Sequence, residues 1–129
     1  MLRENEVATV IVDTAYRIHR RLGPGLLESV YQAIMEYELK KLGLRVQAHE
    51  PVAVVWEEVR IDKGFEADLI VEGIVVVELK SVEQMARVYK KQLLTYLCLT
   101  NCRLGLLINF GEEMIGDGIS RVVNGLPSE

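Results

Sequence analysis

The chain has 129 residues, half of them apolar, and a formal net charge of −4. That length fits one domain spanning 1–129 and leaves little room for a second. The acidic balance excludes a globally basic nucleic-acid binder, no run approaches the ~20 apolar residues needed to cross a bilayer, and the charges scattered through residues 1–10 exclude a secretion signal.

The expected location is therefore the cytoplasm. Residues 4–22 predict a helix, because Val7, Ile11, Ala15, Ile18 and Leu22 recur at steps of three and four. Gly23-Pro24-Gly25 stops it. A second helix over 26–42 would face the core through Leu27, Val30, Tyr31, Ile34 and Leu42, with Gly43 at its C-terminal end. Glu38 falls inside that stripe without an explanation.

Strand-like runs follow at 45–49 and 52–56, divided by Pro51, and then at 65–71 and 74–80. Ser81 with Gln84 three residues later matches a capping box and predicts a third helix from there to about Asn101. Cys98 and Cys102, four apart, are expected on neighbouring turns of one helical segment as buried free thiols, with no other cysteine to complete a zinc site. Residues 104–110 form an almost wholly apolar run that suits a strand covered on both faces, and 119–123 suggest an edge strand. A strand returning after a helix implies a crossover, hence an α/β fold with a mixed sheet flanked by helices.

The chemistry concentrates near residue 80. On a strand Glu78 and Lys80 share a face, yet the strand that carries them is otherwise apolar. Burying such groups is costly unless they are paired or bind a metal. Asp68 interrupts the preceding strand, and two carboxylates from neighbouring strands suit a hard cation such as Mg²⁺ or Mn²⁺. That ion would lie against a scissile phosphate and lower the pKa of a bound water, while Lys80 would orient the nucleophile or offset developing charge. The alternative is a plain ion pair at a strand end.

Register tests the idea. A two-residue turn at Glu72-Gly73 would put Asp68 opposite Val77 and the two acids on opposite faces. A common site therefore requires a three-residue connection, such as Glu72-Gly73-Ile74, or a bulge.

Asp68 followed by Glu78-x-Lys80 resembles the PD-(D/E)XK nuclease superfamily, with Ala67 where the superfamily name has proline. Gln92 to Tyr96 resembles the QxxxY motif of its RecB-like branch, and Gly25, Glu28 and Tyr31 resemble the signature of its GxxExxY family. The resemblance implies a restriction-endonuclease-like fold and a Mg²⁺- or Mn²⁺-dependent nuclease acting on DNA, or on RNA. It implies Asp68 and Glu78 as ligands, Glu28 as an additional carboxylate near the metal, Lys80 as catalytic, and Gln92, Tyr96 and Tyr31 in support or at the substrate. The physical reading of Glu28 is a first-turn glutamate favoured by the helix dipole, and that of Tyr96 is a core residue with its hydroxyl tied inward. Glu66 reads as an outer acid or a solvated edge residue. Arg17, His19, Arg20, Arg21, Lys90 and Lys91 read as solvated helix faces or phosphate contacts, and Trp56 reads as packing. His19 and His49 show no ligand pairing. A catalytically inactive binding or assembly module of the same fold is the rival, a non-nucleic-acid phosphoesterase the third reading, and a homodimer or larger assembly stays open.

Overall fold

A computed structural model describes residues 3–127. Helix α1 spans Glu4–Leu22, the range its stripe predicts. Val7, Ile11, Ala15 and Ile18 are buried, whereas Leu22, at the last turn, is exposed. Acidic Glu4 and Glu6 begin the helix and His19, Arg20 and Arg21 end it, an order that complements the helix dipole. Gly23 at φ +71 and Gly25 at φ +102 then make the bend.

Helix α2 spans Glu28–Lys41 and ends in a Schellman turn, with Gly43 N–H bonded to Lys40 O and Leu44 N–H to Leu39 O. Its buried side is Tyr31, Gln32, Met35 and Leu39. Leu27, Val30 and Leu42, expected in the core, are exposed. The true stripe lies one position further round because a buried glutamine belongs to it. Glu38 consequently faces the groove between α1 and α2, 4.0 Å from the Arg17 guanidinium.

Five strands form one sheet in the order β1-β2-β3-β4-β5: β1 (Val46–Trp56), β2 (Val59–Val71), β3 (Val75–Lys80), β4 (Leu104–Asn109) and β5 (Ile119–Val123). Only β3 and β4 are parallel. Between them runs α3 (Arg87–Thr100), the expected crossover. Pro51 does not divide β1, because β1 is an edge strand where a missing N–H costs no ladder bond. β2 begins six residues before the expected start, so β1 and β2 extend together as an arm whose turn is Glu57-Glu58. Trp56 lies at the end of that arm and is 72% exposed, so it does not pack.

The sheet separates two cores. Val75, Val77 and Leu79 of β3 point to α1 and α2, where Tyr31 stacks on Phe110 with centroids 4.3 Å apart. Val76 points to Leu93 and Leu97 of α3. α3 starts at Arg87, not Ser81, and its N-cap Ala86 has no side-chain bond. The capping box is unused because the 81–82 segment is held elsewhere: Ser81 Oγ donates to Leu26 O at 2.6 Å and Val82 N–H to Asn109 Oδ1 at 3.0 Å. Asn101, at φ +61, closes the helix where expected. Cys102 is buried just beyond it, whereas Cys98 is exposed. None of the helices is long and apolar enough to cross a membrane among the described residues.

Candidate active site

The connection between β2 and β3 has three residues, Glu72, Gly73 and Ile74, with positive φ at Glu72 and Gly73. Val71 therefore pairs with Val75 and Leu69 with Val77, which brings Asp68 beside Glu78. The ladder ends there, and side chains continue it. Leu79 N–H donates to Asp68 Oδ2 at 2.8 Å, and Asp68 N–H donates to Glu78 Oε1 at 3.4 Å. β2 also rotates at this residue. Phe65 and Ala67 pack on the α3 side, but Leu69 and Val71 pack on the α1/α2 side, whereas alternate residues of a regular strand share a face.

The electrostatics are unbalanced. Burial, then the neighbouring Asp68 charge, pushes the Glu78 carboxyl up to about 8, against an opposing pull from Lys80. Lys80 closes no ion pair with either acid: among the described residues no carboxylate lies within 4.0 Å of its ammonium. Its Nζ rests instead over the Tyr89 ring, 4.5 Å from the centroid. The simple ion-pair reading of the strand end therefore does not describe this structure.

Glu28 reaches the same neighbourhood from the first turn of α2. Burial raises its pKa, Lys80 opposes that rise, and Asp68 adds to it. The loop that delivers Glu28 is pinned by Tyr31, whose hydroxyl donates to Gly23 O at 2.6 Å and accepts from Leu26 N–H at 3.2 Å. Tyr31 is wholly buried, so it braces the loop and has no free surface for substrate. From the opposite helix layer Tyr96 stacks on Phe65, with centroids 3.8 Å apart and planes at 5°. Its phenol is raised by burial first and then by Glu78, with a further push from Asp68. Tyr96 is thus half-buried at the site and not a core residue.

Two adjacent hard oxygen donors, one driven towards its neutral form by burial and by the other's charge, fit a divalent cation that would relieve both. Among the described residues no three His, Cys, Asp or Glu side chains gather closely enough to hold an ion by themselves. Glu28 therefore stands off the Asp68–Glu78 pair.

Other candidates fall apart from this centre. Gln92 is exposed, because the buried face of α3 runs through Leu93 and Leu97, and Val88 and Leu99 are exposed with it. Glu66 is held below the usual carboxylate range by Lys63 and then His49. Arg17, Arg20, Arg21, Lys90 and Lys91 are solvated, and His19 is buried against Glu112 O at 2.8 Å. Sequence reasoning passed over Gln32, which bonds the Asp68 carbonyl and the His49 ring. It also passed over Asn109, which clamps Val82. Both are polar residues within apolar faces, and that was the available signal.

A family model of the PD-(D/E)XK nuclease superfamily matches residues 5–122. No curated protein and no solved structure matches the chain.

Proposed function

The chain belongs to the PD-(D/E)XK nuclease superfamily, and from that premise we propose that it is a divalent-metal-dependent phosphodiesterase of DNA, with RNA as the second substrate class. The reading treats residues 1–129 as one nuclease-like domain with Asp68, Glu78 and Lys80 at its centre. The observation that carries it is the juxtaposition of two acids from neighbouring strands, Glu78 pushed up to about 8, beside an ammonium that pairs with no carboxylate among the described residues. A structural ion pair would instead join Lys80 to one of them.

Asp68 and Glu78 would hold Mg²⁺ or Mn²⁺, which when bound supplies polarisation of the phosphodiester and an acidified water. Asp68 keeps its carboxylate aimed by the Leu79 N–H. Lys80, seated on the Tyr89 ring, donates to a phosphate oxygen or to the attacking water and offsets the charge that builds up. Glu28 contributes through water and not as a direct ligand. Tyr96 offers its hydroxyl beside the acids, Tyr31 holds the loop that carries Glu28, and exposed Gln92 is available to the nucleic-acid backbone. Recognition of nucleic-acid structure or strand ends is part of this reading.

The net charge of −4 favours one second reading, an inactive binding or assembly module. Purified protein with Mg²⁺ or Mn²⁺ on single-stranded, double-stranded and branched DNA and on RNA separates the two. The nuclease reading expects cleavage that drops roughly 10²-fold or more in Lys80→Ala and Asp68→Asn. Cleavage by neither protein, or equal cleavage by both, rejects it. An inactive module would also show no Mn²⁺ binding dependent on Asp68 and Glu78.

A further inference from the structure

From Val46 to Val52, strand β1 keeps one register with β2 on both sides of a gap; the register itself shifts only further along the arm, between Val52 and Val54. The pairs run from Val46 with Val71 to Ala48 with Leu69, and resume from Glu50 with Ala67 to Val52 with Phe65. Between them stand His49 and Asp68. His49 has φ +52, a left-handed conformation that is unfavourable for a residue with a side chain. Strain of this kind persists only where surrounding contacts impose it.

Gln32 supplies those contacts. Its amide is nearly fully buried and cannot be left without partners. Nε2 donates to Asp68 O at 3.1 Å and stands 3.0 Å from His49 Nε2 and 3.3 Å from its Nδ1. Glu66 Oε1, 3.1 Å from Nδ1, must accept, so the hydrogen-bond network assigns the ring proton of neutral His49 to Nδ1. Nε2 is then the acceptor for Gln32. Lys63 Nζ completes the chain at the other Glu66 oxygen, 2.8 Å away. A relay of side chains thus runs from the arm through β1 to α2 and ends on the backbone of Asp68.

We propose that Gln32 is a positioning residue for Asp68: by tying the Asp68 carbonyl to the His49 ring, it fixes the rotation of β2 that delivers the Asp68 carboxylate to the Leu79 N–H and to Glu78. The rotation occurs at that residue and nowhere else in the β2–β3 ladder, since Leu69, Ile70 and Val71 keep regular pairing with β3. The backbone consequence is independent of metal; the consequence for cation binding rests on the nuclease reading.

The test compares metal-free wild type with Gln32→Met, which keeps the volume but loses both donors. Ring-nitrogen NMR should find His49 protonated at Nδ1 in the wild type and should find that preference lost in the variant. The Leu79 amide should exchange with solvent faster in the variant, and Mn²⁺ affinity should fall roughly 10-fold or more. A folded Gln32→Met with the same ring tautomer and the same Leu79 exchange overturns the proposal. If Gln32→Met does not fold, His49→Asn serves, because asparagine tolerates the left-handed backbone while removing the ring. Faster Leu79 exchange there supports the role of Gln32, and unchanged exchange overturns it. Wild type that binds no Mn²⁺ would remove the nuclease reading, and Leu79 exchange would still decide this one.

Discussion

Asp68 and Glu78 clasp two diverging strands: each acid commits one carboxylate oxygen to a backbone N–H, Asp68 to Leu79 and Glu78 to Asp68 itself. The two carboxyl groups are close enough that the Asp68 charge raises the pKa of Glu78. The arrangement holds two like charges together and so carries a penalty that protonation or a cation relieves.

The first prediction concerns pH. The Glu78 carboxyl lies at about 8 in the folded protein against 4.5 when unperturbed. The folded state therefore holds a proton that the unfolded chain releases, and metal-free stability falls as pH rises from about 4.5 to 8 and then levels. Urea denaturation between pH 5.5 and 8.5 should show this fall, and Glu78→Gln should flatten it. Mn²⁺ should restore stability at the alkaline end. A wild-type profile that rises over this range would contradict the arrangement of the acids.

The second concerns the seat of Lys80. Its ammonium rests on the Tyr89 ring, a contact of about 0.5–2 kcal/mol. Tyr89→Leu should keep Mn²⁺ affinity, since it touches neither acid, yet lower the cleavage rate several-fold by freeing the lysine. Lys80→Arg should not rescue, because a planar fork cannot replace a compact point charge at this position. Single-turnover rates with Mn²⁺ titrations beside them would check both statements.

The contrast between helices explains what the sequence could reveal. α1, β3 and β4 were legible because a stripe or a run of apolar residues leaves one way to bury them. The three-residue turn was legible for a different reason: only that parity puts Asp68 and Glu78 on one side. The face of α2 was not legible, because Gln32 is buried and Leu27 is not, a tertiary choice that hydrophobicity alone misassigns. The arm was hidden by Pro51 and by the charges of residues 57–63, which are compatible with an exposed edge but look like a loop. The start of α3 was misplaced because Ser81 and Val82 have partners far away in sequence, Leu26 and Asn109. Nothing local announces those bonds.

A third prediction follows from Tyr31. Its hydroxyl is bonded at both ends of the Gly23–Leu26 bend, so Tyr31→Phe leaves a carbonyl and an N–H without that partner. The ring stack on Phe110 persists. Stability should fall by about 1–3 kcal/mol, and cleavage should fall further than stability accounts for, because the loop aims Glu28. Glu28→Gln should lower activity without changing the denaturation midpoint by a comparable amount. If Tyr31→Phe loses stability but retains full cleavage, the loop does not position Glu28.

The last prediction tests the segment that leaves the lysine. Asn109 sits in register with Lys80 on the neighbouring strand and is wholly buried. Its amide accepts from Val82 N–H and Gly111 N–H and donates to Val82 O, so one side chain satisfies three backbone groups. Asn109→Leu is close in volume but leaves all three unpaired, at about 1–3 kcal/mol for each buried group that water cannot reach. Gly111→Ala attacks the same clamp by another route, since its Cβ would collide with the Val82 backbone. Both variants should lose several kcal/mol in denaturant titrations, roughly 3 or more for Asn109→Leu, while a control at exposed Glu83 should lose almost none. The physical reason is that residues 81–86 form no helix of their own, and their path past the end of β3 is set from β4. Were Asn109→Leu as stable as wild type, that path would be held by the Ser81 bond to Leu26 alone, and Ser81→Ala would then have to show the larger loss.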